Sequence, residues 1–231
     1  MLIGGLQQMT LLDYPGQVAA TIFTVGCNFR CHFCHNPALV LPEKFGEGLK
    51  TEKDVLDFLR ARKKLLDGVC ITGGEPTLQK DIVEVCESIK DLGYKIKLDT
   101  NGLRPHIIQK LMKKDLIDYI AMDIKAPWNK YEQVVGVKVD LDKLKQSVKI
   151  IRESGLPHEF RSTVLPGLHT AEDIIRMAKQ VKGADAYYIQ RFRSEPELVN
   201  QEFVSENKFL LKDLEAIRNE IKDWFKVCKV R

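Results

Sequence analysis

The chain has 231 residues, 44% of them hydrophobic, which suits one large α/β domain with a substantial core. Its 36 basic and 32 acidic residues leave a formal charge of +4 without long single-sign blocks, which argues against a nucleic-acid partner and for a solvated mixed surface. No segment approaches eighteen uncharged apolar residues, the first residues lack a basic region followed by a sustained apolar stretch, and three of the six cysteines are scattered in apolar segments; a cytoplasmic protein without disulfides or a membrane segment is expected.

Residues 1–16 read as an N-terminal extension closed by a turn at Asp13-Tyr14-Pro15-Gly16. The β-branched run from Val18 to Val25 predicts a buried strand that feeds directly into a cysteine loop. Thr51-Glu-Lys-Asp54 predicts a capped helix start, followed by Val55, Phe58, Leu59 and Arg62 at helical spacing. Val69 to Thr72 predicts a second strand ending in Gly73-Gly74, and Ile82, Val85, Cys86 and Ile89 stripe the next helix. The alternation continues with strand Tyr94 to Thr100, helix Pro105 to Lys113 and strand Ile117 to Asp123. A helix through Leu141, Leu144, Val148 and Ile151, a strand Glu159 to Leu165, a helix through Ile174 and Ala178, and a strand Ala186 to Gln190 complete the series. Repeated strand–helix units with nearly continuous apolar strands imply parallel pairing; a barrel and a doubly wound sheet both fit. From about Ser205, one stripe through Ile217, Ile221, Trp224, Phe225 and Cys228 predicts a C-terminal helix.

Cys27-Asn-Phe-Arg-Cys31-His-Phe-Cys34 places three cysteines in eight residues with no fourth nearby. Iron–sulfur clusters and structural zinc take four protein ligands as a rule, so three suggest a 4Fe-4S cluster with one iron open to a substrate. A zinc site completed by His32 or His35 is the alternative, with the two histidines otherwise hydrogen-bonding sulfur or lying exposed. Parallel α/β folds bind ligands at the carboxyl ends of strands, and each candidate strand end here is polar. Gly73-Gly74-Glu75-Pro76 offers backbone to a close ligand and a carboxylate to an ammonium group. Asp99-Thr100-Asn101-Gly102 and Asp123-Ile124-Lys125 follow, the latter sending Asp123 and Lys125 to the same side. Arg161, a charge inside a strand, needs a ligand carboxylate or a partner such as Asp123. Gln190 and Phe192 are candidates for an adenine edge and face. Cys70, Cys86 and Cys228 sit on apolar faces and read as small hydrophobes.

The C-x3-C-x2-C spacing with an aromatic before its last cysteine resembles the radical S-adenosylmethionine (SAM) superfamily, and the likeness runs over five ordered motifs from about Gly5 to Arg193. The resemblance implies a single domain spanning 1–231, whose core from about 17 to 193 is a partial (β/α)6 TIM-like barrel with mostly parallel strands, followed by a C-terminal helical segment from about 205. It implies that Cys27, Cys31 and Cys34 hold the 4Fe-4S cluster and that Gly73, Gly74 and Glu75 bind the amino group of SAM. DTNG and DIK resemble the glycyl-radical-enzyme activases, particularly the pyruvate formate-lyase activase; there the residues matching Asp99, Thr100 and Asp123 surround a monovalent cation and Lys125 contacts SAM. Cys34-His-Asn-Pro37 and Met9-Thr-Leu-Leu-Asp-Tyr-Pro-Gly16 resemble the activating proteins of anaerobic ribonucleoside-triphosphate reductase. The implied activity is reductive cleavage of SAM and formation of a glycyl radical on a partner enzyme, with a flavodoxin- or ferredoxin-like electron donor. The alternatives are another radical SAM enzyme acting on a small molecule, such as 7-carboxy-7-deazaguanine synthase, and a non-enzymatic zinc-binding module.

Overall fold

Nearly continuous apolar strands separated by amphipathic helices build an α/β fold around an eight-stranded, mostly parallel sheet in the computed structural model, which describes residues 1–46, 48–193, 198–200 and 209–231. The strands are hydrogen-bonded in chain order: β1 Ile3–Thr10, β2 Ala19–Thr24, β3 Gly68–Gly73, β4 Lys95–Thr100, β5 Tyr119–Asp123, β6 His158–Val164, β7 Ala186–Arg191 and β8 Val227–Val230. Between them run α1 Pro37–Val40, α2 Glu52–Ala61, α3 Ile82–Asp91, α4 Pro105–Lys113, α5 Tyr131–Val135, α6 Leu141–Glu153, α7 Ala171–Gln180 and α8 Leu211–Ile221. This is the fold class expected from the sequence, and none of the described helices is long and apolar enough to cross a membrane.

Contacts divide the chain into two compact units: Met1–Asn28 with Asn36–Thr100 and Arg104–Ile120, and Phe29–His35 with Asn101–Leu103 and Ala121–Arg231. In the first, β1 pairs antiparallel with β2, and β2–β3 and β3–β4 pair parallel, with Thr24 opposite Gly73. Helix α2 starts where Thr51 predicts: the Thr51 hydroxyl accepts from the Asp54 amide while the Asp54 carboxylate accepts from the Thr51 amide, satisfying two amides of the helix start. Cys70 and Cys86 are buried, and burial pushes the Cys86 thiol up to about 12, as suits a small hydrophobe rather than a ligand. In the second unit β6–β7 and β7–β8 are parallel, and α6 buries Leu144, Val148 and Ile151.

Two expectations change. Residues 1–16 contribute a strand, β1, whose Ile3 is buried and whose Gly4 leaves room for Leu39 and Val25; a Cβ there would lie 2.5 Å and 2.7 Å from those side chains. The C-terminal helix stops at Ile221. Trp224 ends a 3-10 turn, Phe225 stacks on Tyr187 with ring centroids 5.1 Å apart, and Val227, Cys228 and Val230 belong to the edge strand, Val227 and Val230 opposite Ala186 and Ile189. The start near Ser205 lies outside the described residues. After β5, Tyr131–Val135 is helical and ends at Gly136 in the left-handed region, with Tyr131, Val134 and Val135 buried.

Candidate functional site

In the first unit the strand end that leads to Cys27 is clamped by the Gly-Gly-Glu-Pro turn. Gly74 N–H donates to Thr24 C=O and Glu75 N–H to Gly26 C=O, each at 2.8 Å, while Gly26 N–H donates to Leu39 C=O at 2.7 Å. A Cβ on Gly74 would lie 2.1 Å from the Gly26 oxygen, and one on Gly73, at φ +118°, 2.3 Å from the Thr24 nitrogen. The close approach that these glycines permit is therefore of chain to chain, at the residue next to the first cysteine, and not only of chain to ligand.

Glu75 is 1% exposed, and its Oε1 accepts from the Thr77 amide at 3.0 Å, the Thr77 hydroxyl at 2.5 Å and the Thr100 hydroxyl at 2.7 Å. Two neighbouring strand ends, those of β3 and β4, thus orient one carboxylate through neutral donors. Thr77 is absent from the residues singled out in the sequence, although a threonine two positions after an acidic residue is a local signal for such a turn. Asp99 is buried and paired with Lys97, whose side chain is 1% exposed; both project from the same face of β4. Lys97 was also not singled out. A lysine inside an otherwise buried strand, two residues from an aspartate, is the signal that would have found it.

In the second unit the segment carrying Cys31 and Cys34 is fastened along its length. Arg30 N–H donates to Val135 C=O at 2.8 Å, and a Cβ on Gly136 would lie 2.7 Å from the Arg30 oxygen. Phe29 meets Tyr131 edge-on at 6.2 Å between centroids. Cys34 N–H donates to Cys31 C=O at 3.0 Å, closing a turn that brings these two residues together. Val199 and Asn200 amides donate to the Cys34 and His32 carbonyls. Phe33 packs edge-on against His169 and Phe192, and the His35 ring lies 4.9 Å from Phe192, so the ring expected to face an adenine is 3% exposed and packs against the cysteine segment.

Asp123 and Lys125 pair at 2.9 Å, and Arg161 Nε donates to the other oxygen of Asp123 at 2.9 Å. Of the two partners expected for Arg161, the structure supplies Asp123. Burial would raise the Asp123 carboxyl, but Arg161 and then Lys125 outweigh it and hold the group well below the usual carboxylate range. Burial would likewise lower Lys125; Asp123 first, then Cys31 and Cys34, reverse that and push it up. His169 accepts from the Leu165 amide on Nδ1 at 3.3 Å, which leaves Nε2 to donate to the Lys125 carbonyl at 2.8 Å. Burial depresses its pKa, against the pull of that carbonyl, and favours the neutral ring. No sequence spacing signals this contact, because 44 residues separate the partners. Gln190 accepts from the Thr163 hydroxyl at 3.3 Å on neighbouring strands.

Cys27, Gly73, Gly74, Glu75, Asp99 and Thr100 therefore belong to one unit and Cys31, Cys34, Asp123, Lys125, Arg161 and Gln190 to the other. Among the described residues, neither unit by itself gathers three histidine, cysteine or acidic side chains able to hold a metal ion.

The pattern of the Radical SAM superfamily matches residues 21–181. A protein of Methanocaldococcus jannaschii, provisionally named a glycyl-radical enzyme activating enzyme, is 39% identical over 196 residues, covering 83% of this chain and 80% of its own. A Pyrococcus horikoshii protein, provisionally named a GTP 3′,8-cyclase, is 26% identical over 212 residues, covering 89% of this chain and 66% of its own. Among solved structures, SuiB of Streptococcus suis bound to S-adenosylmethionine superposes with a TM-score of 0.70 at 20% identity; the match covers 90% of this chain and 48% of SuiB, so the fold is shared over about half of that protein.

Proposed function

Since the chain belongs to the radical S-adenosylmethionine superfamily, we propose that it is an activating enzyme that installs a glycyl radical on a partner, with anaerobic ribonucleotide reductase as the partner and a flavodoxin- or ferredoxin-like protein as electron donor. The observation that carries this reading is the 39% identity to the M. jannaschii relative over four-fifths of both chains. The family implies a 4Fe-4S cluster and SAM. The donor set here suits them: three thiols in C-x3-C-x2-C, two of them joined by a turn and the third following a clamped glycine.

In this reading Cys27, Cys31 and Cys34 hold the cluster. When bound, the cluster and SAM supply one-electron cleavage of a sulfonium carbon–sulfur bond, giving methionine and a 5′-deoxyadenosyl radical that takes hydrogen from glycine. Glu75, held by Thr77 and Thr100, presents a carboxylate in fixed orientation to the amino group of SAM. Gly73 and Gly74 hold the Cys27 strand end against this turn. Lys125, its ammonium held by Asp123 and Asp123 in turn by Arg161, would contact SAM. Gln190, steadied by Thr163, serves as an adenine contact. Asp99 and Asp123 each hold an internal cation in place of a bound monovalent one.

A second reading, a radical SAM enzyme acting on a small molecule, is supported by the cyclase relative at lower identity. Anaerobic reconstitution with iron and sulfide, followed by dithionite and SAM, distinguishes the two. About four irons per chain and 5′-deoxyadenosine formation, both lost in Cys31→Ala, are expected. A glycyl doublet in the paramagnetic spectrum, dependent on anaerobic ribonucleotide reductase, would support activation. Deoxyadenosine formation without that doublet would favour a small-molecule substrate, and bound zinc without cleavage would sink both.

A further inference from the structure

The residues that the activase resemblance assigns to a monovalent cation are occupied, within their own units, by cationic or hydrogen-bonding partners. In the first unit Asp99 is buried and its Oδ1 accepts from the ammonium of Lys97. Thr100 turns its hydroxyl hydrogen toward Glu75. In the second unit both oxygens of Asp123 are taken, one by Arg161 and one by Lys125. These groups do not fit an added alkali cation: a second positive charge at contact distance from Lys97 or Lys125 would meet like-charge repulsion in a partly desolvated place.

We propose that Lys97 fills the place a bound alkali cation would take beside Asp99, so that this chain carries its own monovalent cation there and requires none from solution. Lys97 is an unusual residue for its position. Strand β4 buries Ile96, Lys97, Leu98, Asp99 and Thr100 in succession, and a lysine is seldom fully buried unless it is paired. The alternation of the strand puts residues 97 and 99 on one face, so the pair is built into a single extended segment. The Tyr119 ring lies under the ammonium at 5.9 Å, a second contact that favours positive charge at this point. The pair lies in the C-terminal half of β4, beside the hydroxyl that orients Glu75. Lys97 is a positioning residue in this account, acting through Asp99.

Ion binding at Asp99 can be read whichever reaction the chain catalyses. Thermal melting and SAM affinity of the reconstituted protein would be measured in potassium, sodium, ammonium and choline chloride at equal ionic strength. For the wild type both quantities are expected to be the same in all four salts; a shift specific to potassium or sodium would overturn the proposal. Lys97→Met removes the charge and keeps most of the volume. It is expected to melt lower in choline chloride and to recover about 2–4 °C or more in potassium or ammonium chloride, as the small cations enter the vacated place. Melting of Lys97→Met that is equal in all four salts would overturn the assignment. The double variant Lys97→Met/Asp99→Asn, which removes both charges of the pair, is expected to melt alike in every salt. The wild-type comparison decides the need for an external cation even if Lys97→Met does not fold.

Discussion

Two carboxylates, Glu75 in one unit and Asp123 in the other, stand at strand ends and are held in opposite ways. Oε1 of Glu75 is oriented by an amide and two hydroxyls, whereas Asp123 is gripped by an ammonium and a guanidinium. Neutral donors fix the direction of a carboxylate without cancelling its charge; cations do both. The first arrangement suits a group that must attract a positive ligand, and the second suits one that must restrain cations which themselves meet an anion.

The contrast breaks most sharply at Asp123. Asp123→Ala leaves Lys125 and Arg161 without their shared counter-ion, and a loss of about 2–3 kcal/mol in urea unfolding is expected, at the low end for a buried pair because the side chain is 25% exposed. A loss under about 1 kcal/mol would mean that the two cations find other partners. Glu75→Gln keeps the shape and most of the acceptor geometry but removes the charge. Stability should change little, while the dissociation constant for SAM, read by equilibrium dialysis, should rise about tenfold to a hundredfold. An unchanged affinity would remove Glu75 from the ligand contacts.

The smallest effect concerns the neutral ring behind Lys125. The His169 pKa is lowered in the folded state relative to about 6.5 in the unfolded chain. As pH falls through that unfolded value, the unfolded state takes up the proton first, so stability declines with acidification until the folded pKa is passed. The slope of unfolding free energy against pH between about 7 and 5 should be shallower in His169→Gln than in the wild type. Equal slopes would show that His169 titrates alike in both states.

The legible parts of this molecule are those with short-range signatures. Helix α4 begins at Pro105 and ends at Lys113 as its period predicts, and the Thr51 cap is read directly from four residues. The cysteine spacing and the Gly-Gly-Glu-Pro, Asp-Thr-Asn-Gly and Asp-Ile-Lys segments are contiguous in the chain, so each was visible. The parts that were missed depend on partners elsewhere. Strand β1 has a weak apolar pattern and exists because it pairs with the edge of β2; β8 follows helix α8 so closely that its apolar residues extend a helical stripe, and only pairing with β7 and the Tyr187–Phe225 stack select the strand. Tyr131 and His169 support the cysteine segment and Lys125 through contacts that no spacing encodes.

The amino-acid sequence by itself determined the alternation of strands and helices from β2 to β7, the superfamily and the positions that carry thiols and carboxylates, because hydrophobic period and contiguous motifs are local properties. Tertiary structure alone decided what each charge answers to: that Arg161 turns to Asp123, that Lys97 lies buried on Asp99, and that Gly74 makes room for Gly26. Charge pairing and close packing act over a few ångströms of space between residues that the chain can hold far apart, so they are settled only when the strands are laid side by side.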